Sequence, residues 1–425
     1  MLTDEQRRRA FTIIILNQCL GMLSGSLFQN GFYLNYFTKL GVSSSTIAFL
    51  FALPSLLSMF LLVPFAFYSD RFGKKKLALG GQLLFVVSIA LMLVAGWWNP
   101  RWAIGFIVAA LLVQCVGGSL QGASWFALLN PIIPKEIRGR FFGRLRVIFQ
   151  SVSIVFALVI TRMLAGKPSM NIFQLILGFV WLAAVLRYFT YSRIPEVENV
   201  SGESEHHHQP LVQALRSVLR VPGYVAFNGY IFFITFFTAA IPTIFGLMQK
   251  DVFGFTPAQI TLIGTLFLVG SMMGCWLGGR VVDHHGSRFI FRFTHAAHIL
   301  IMLLMLMRHW VPWSLLVHAG ICAWAYSLVA GVAGVASTAK VLALIPSVNK
   351  SLSTAFTMSL LCAAIAFAGV AVSRSIQWAG STFSWNMFGQ NYTTYDTLLL
   401  TFATLTVLLF ITVFGIYPRI KRSKC

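Results

Sequence analysis

Two acids in this chain stand in matching charged surroundings. Asp70 is followed by Arg71, Gly73, Lys74 and Lys75, and Asp283 is followed by Gly286 and Arg288. An acid at the C-terminal end of a helix meets the negative pole of the macrodipole. It is unfavourable there unless a cation answers it. Arg71, Arg288, or the group Arg138, Arg140, Arg144 and Arg146 can do so. Such a pair is either a permanent loop clasp or a switch that forms in one conformation and breaks in another. A second set of residues suits binding rather than switching. Gln18, Gln29, Asn30 and Tyr33 fall in one apolar stretch, and Gln114, Gln121 and Trp125 in another. Asn228 lies in a third stretch, and Trp324 and Tyr326 in a fourth. Amides bond hydroxyl groups and aromatic faces stack on apolar rings. The competing use of a buried amide is to hold one helix to another.

Catalytic patterns are missing. There is no H-E-x-x-H, no G-x-S-x-G and no phosphate loop G-x-x-x-x-G-K-[ST], so an enzyme and an ATP-driven pump are not expected. The six cysteines form no C-x-x-C, and His206, His207 and His208 fall in a Ser/Glu-rich stretch that reads as solvated. His295 and His298 are spaced i, i+3, a pair too small for a metal site, and receive no role. No cofactor and no metal are expected.

The elements that carry these residues follow from composition. Of 425 residues, 57% are hydrophobic and 10% charged, against about 25% charged in a soluble domain. Twelve apolar stretches emerge, each near the ~20 residues that cross a bilayer as a helix. They include 12–36, 102–126, 223–247, 258–280, 290–308 and 313–337. Helix is the default because hydrocarbon offers backbone groups no partner. The first stretch is too long for a cleaved signal and reads as an uncleaved helix. The net charge of +21 is biased: 24 of the 32 Lys and Arg lie in the two tails and the even-numbered connections. That pattern places both termini in the cytoplasm. Contact with anionic lipid explains it better than nucleic-acid binding does.

The chain also repeats. Asp70 and Asp283 are 213 residues apart, as are Gly73 and Gly286, and Pro134 and Pro346 are 212 apart. Two six-helix halves are expected, residues 1–191 and 223–425. Residues 192–222 form a cytoplasmic linker with a short amphipathic helix.

With its loop G-x-x-x-D-r-x-G-r/k-r/k between spans two and three, weakly repeated between spans eight and nine, the chain resembles the major facilitator superfamily (MFS). The first copy keeps Asp70, Arg71, Gly73, Lys74 and Lys75 but has Ala66 at the leading glycine; the second keeps Gly279 and Asp283. The resemblance implies an all-α membrane protein of twelve transmembrane helices in two pseudo-symmetric six-helix bundles. It further implies alternating access to a central cavity lined by spans 1, 4, 7 and 10, with spans 3, 6, 9 and 12 facing lipid. The amides and aromatics above then become a solute site suited to a neutral polar ligand such as a sugar or nucleoside. None of the eleven acids lies mid-span, and Gly118 stands where drug/proton relatives carry an arginine. Both departures argue against proton coupling.

The expected protein is therefore a multi-pass transporter of a small organic solute, secondary active or facilitative. It acts as a monomer in a lipid bilayer, with the bacterial inner membrane as the expected site. The alternatives are an exporter of lipophilic compounds and a non-transporting sensor or scaffold on the same fold.

Overall fold

The computed structural model describes residues 3–129, 132–133, 137–196, 216, 219–220, 222–344, 350–380 and 383–416. The linker stretch 197–215, the loop prolines Pro134 and Pro346 and the C-terminal tail fall outside these residues.

The first span is two helices, α1 (Asp4–Gln29) and α2 (Phe32–Lys39), hinged at Gly31. Four single-helix spans follow: α3 (Ser44–Phe72), α4 (Lys74–Ala95), α5 (Pro100–Leu129) and α6 (Arg138–Met163). The helix α7 (Met170–Ser192) completes the first half. The seventh span is again split, into α8 (Pro222–Thr238) and α9 (Ile241–Asp251). Next come α10 (Pro257–Leu306), α11 (Leu315–Leu344) and α12 (Lys350–Ala379). A hairpin of β1 (Ser384–Met387) and β2 (Gln390–Thr393) leads into α13 (Thr394–Phe410).

Among the described residues eleven helical stretches are long and apolar enough to span a membrane. One of them is two spans. The helix α10 has 50 residues, about 75 Å at 1.5 Å per residue and far beyond a ~30 Å hydrocarbon core. Its backbone breaks at Gly286, with φ 72° and ψ 160°. Gly73, between α3 and α4, has φ 87° and ψ 119°. Both loops thus use the left-handed region that favours glycine, which is why the repeat retains glycine at the same offset from its aspartate. Counting α10 twice gives twelve spans among the described residues.

Each half packs chiefly on itself. In the first, α4 lies against α5 and α7, and α1 against α6 and α7; in the second, α10 lies against α11 and α13, and α12 against α8. The halves meet along α3 with α12 and α6 with α10. The core is heavily aromatic near α2. Phe32, Tyr33, Tyr36 and Phe37 are fully buried, Phe173 of α7 closes on two of them, and the Tyr36 hydroxyl donates to the Met92 carbonyl at 2.7 Å.

Candidate functional site: a cavity between two halves

The polar contacts that cross between the halves concentrate, among the described residues, at the end away from the termini. Asn35 Nδ2 donates to the Pro257 carbonyl at 3.1 Å and to Thr261 Oγ1 at 3.3 Å. Lys250 Nζ donates to Ser44 Oγ at 2.8 Å, and Ser44 Oγ donates to Asp251 Oδ2 at 2.7 Å. Ser373 Oγ reaches the Ser45 carbonyl at 2.8 Å. Tyr395 ties α13 to the same Asp251. Backbone also closes on backbone: a Cβ at Gly264 would overlap the main chain of Asn30. Together these contacts form a latch.

Just inside the latch lies a cavity of about 620 Å³. Both halves build it. Phe28, Gln29 and Leu34 come from the first span and Phe51 and Ser55 from α3. The other wall includes Thr243 and Gln249 of α9, Phe267 of α10 and Tyr326 of α11. The wall is mainly apolar with a few convergent amides and hydroxyls, the usual make-up of a small-molecule pocket. Among the described residues no carboxylate contributes to it.

Two residues singled out from sequence, Gln29 and Tyr326, line this cavity. The Tyr326 hydroxyl donates to the Thr238 carbonyl at 2.9 Å, and Phe267 stacks on its ring at 6.0 Å. The other proposed contacts lie outside its lining. Asn30 is buried, and its Oδ1 accepts from the Phe32 amide to cap α2. Tyr33 packs between Phe28 and Phe37, because α2 turns its aromatic face into the first half's core. Asn228 donates to the Tyr224 carbonyl one turn earlier, so it serves its own helix. Trp125 packs against Tyr191 of α7 at 6.0 Å. Gln18, Gln121 and Trp324 are half-buried, and Gln114 is half-buried with Oε1 unpartnered among the described residues.

Sequence reasoning passed over Gln249, Thr243 and Ser55. Gln249 lies two residues past the expected end of its span, and Ser55 is in a span not expected to line the cavity. It also set aside His298. That histidine lies in the ninth span, expected to face lipid, yet it is buried and lines a second, smaller cavity. The signal was its i, i+4 bond: Nδ1 is held by the Thr294 carbonyl at 2.7 Å, which turns the ring inward.

The proposed switch residues lie at the end nearer the termini. Asp70, Arg71, Arg138 and Arg140 sit in helices, but their side chains fall outside the described residues. Asp283 and Arg288 are exposed on either side of Gly286, and no ion pair joins them. Arg144 is likewise exposed.

A family model described as Major Facilitator Superfamily matches residues 14–369. No curated protein matches the chain by sequence. Solved structures resemble it in fold. The nucleoside transporter NupG (D323A mutant) superimposes with a TM-score of 0.71 at 12% identity, covering 96% of this chain and 100% of that one. A D-xylose-proton symporter gives 0.70 at 12% identity, covering 95% and 96%. The human organic anion transporter MFSD10 gives 0.63 at 17% identity, covering 95% and 99%.

Proposed function

Because the chain belongs to the Major Facilitator Superfamily, we propose that it is a secondary transporter, active or facilitative, which moves a small neutral polar solute by alternating access. A sugar or a nucleoside is the solute class that fits. The observation that carries this reading is the cavity shared by both halves directly beneath a latch. Releasing the latch would open that cavity to the opposite face, and the two states differ in contacts a solute can bias. Its volume falls inside the roughly 300–1,000 Å³ range of ligand pockets. Gln29, Gln249 and Thr243 offer donors and acceptors, and the aromatic wall offers faces for a ring. Solved neighbours that carry nucleosides and D-xylose are consistent with that class.

In the same reading both termini face the cytoplasm, as the basic tails and even-numbered loops require. Residues 1–191 and 223–425 then act as the two moving bodies. Among the described residues no ion pair involves Asp283, which fits a conformation latched at the outer face and loosened at the inner one.

The apolar share of the wall, Phe28, Phe51 and Phe267 among it, favours a second reading, export of lipophilic compounds. One screen separates the two. Purified protein is melted in the presence of sugars, nucleosides, amino acids, organic acids and lipophilic drugs, since a bound ligand stabilises the folded state by mass action. A neutral polar solute is expected to raise the Tm, and Gln29→Ala is expected to remove that rise. Shifts with lipophilic compounds alone would replace the first reading by the second.

A further inference from the structure

The second cavity, about 290 Å³, lies inside the second half. It is framed by α8, the later segment of α10, α11 and α12, and its walls include Ile231, Ile234, Phe291 and Leu361. Such a volume is at the lower limit of ligand pockets, about 300 Å³. It suits one ring system rather than a whole solute.

His298 gives this apolar chamber a directed polar group. It is only 4% exposed, and its Nδ1 sits 2.7 Å from the Thr294 carbonyl oxygen. A carbonyl only accepts, so Nδ1 carries the hydrogen and Nε2 holds a bare lone pair. Among the described residues no protein group donates to that nitrogen. The titratable groups around it are Tyr326 of α11, edge-on at 5.4 Å, His295 one turn earlier, and Tyr230 of α8, stacked on His295. The Tyr326 hydroxyl is already engaged with Thr238. Among the described residues no carboxylate or cation lines the chamber. A charged imidazole would have no counter-ion there, so the ring is a neutral acceptor in want of a donor. Tyr326 also lines the larger cavity, and the two spaces therefore border the same side chain.

We propose that this chamber is a subsite for a flat heteroaromatic ring whose N–H or O–H donates to His298 Nε2. The polar remainder of the same solute occupies the cavity between the halves. Resting on the polar-solute reading above, the inference narrows the substrate from sugars in general to a heterocycle joined to a sugar, a nucleoside-type compound.

Binding of adenosine and of ribose to the purified full chain, followed by titration calorimetry, tests this. Adenosine should bind more tightly than ribose. His298→Ala should weaken adenosine roughly tenfold, the effect of one lost hydrogen bond, and leave ribose unchanged. Ala333→Leu, which fills the chamber from α11, should do the same without touching the imidazole, and it decides the matter if His298→Ala fails to fold. Adenosine affinity equal to wild type in the variants overturns the subsite. Adenosine binding no tighter than ribose overturns it too, while leaving polar-solute transport standing. Binding of neither compound removes both readings.

Discussion

At the scale of single residues, the buried ion pair at the latched end gives the sharpest stability test. Arg308, in the turn after α10, is a basic residue on the face where the charge bias predicts few. The fold explains it. Both Arg308 and Asp396 are buried, and Nη2 donates to Oδ2 at 2.9 Å beside the second Nη1–Oδ1 bond. Asp396 also accepts from the Thr393 amide at 2.7 Å and so caps α13. The Arg308 guanidinium lies 5.5 Å from the ring centroid of Tyr392, which stacks on Trp385 in the hairpin. Asp396→Asn would leave the guanidinium buried and unanswered, a loss of about 3–5 kcal/mol. A large fall in Tm is expected, with Arg308→Gln/Asp396→Asn recovering part of it. A Tm equal to wild type would show that water reaches the pair.

At the scale of elements, two hinge regions make separate predictions. The α10 segment carrying Gly264 touches the backbone of Asn30, where the first span turns from α1 to α2. Gly264→Ala forces those main chains apart, and overpacking of this kind costs about 1–3 kcal/mol. The latched state should lose population. A cysteine placed at Ser55 should then react faster with an impermeant maleimide added at the face away from the termini, and unchanged labelling would mean that the halves part without resistance there. The loop after α3 makes the opposite prediction, at the other end. Asp70→Asn should slow transport while the protein still inserts, because the acid is proposed to stabilise one arrangement at the inner face. Full transport would reduce Asp70 to a loop clasp.

At the scale of the molecule, the distribution of charge sets the expected energetics. The acids described in the helices, Asp251, Asp283 and Asp396 among them, sit at span ends, and among the described residues the larger cavity has no carboxylate in its wall. The proposed transport therefore does not rest on a titrating carboxylate in that wall. Uptake of the solute into proteoliposomes should continue when an uncoupler collapses the proton gradient. Strict dependence on that gradient would overturn the expectation of uncoupled uptake.

The sequence by itself determined the class of protein, the number of spans and the twofold repeat. These follow from local quantities: apolar length against bilayer thickness, and a glycine held at one offset because both turns need positive φ. It also picked Gln29 and Tyr326 from the cavity wall, because an amide or a phenol in a greasy helix must turn away from lipid. It could not say what that inward side faces. Asn228 and Asn30 each bond backbone within a turn through one amide atom and line neither cavity, whereas Gln249 and His298 end at cavities. Helical spacing is identical for both outcomes. Only the packing of one half against the other, and of α10 against α11, decides whether an inward polar group meets a neighbour or an empty space.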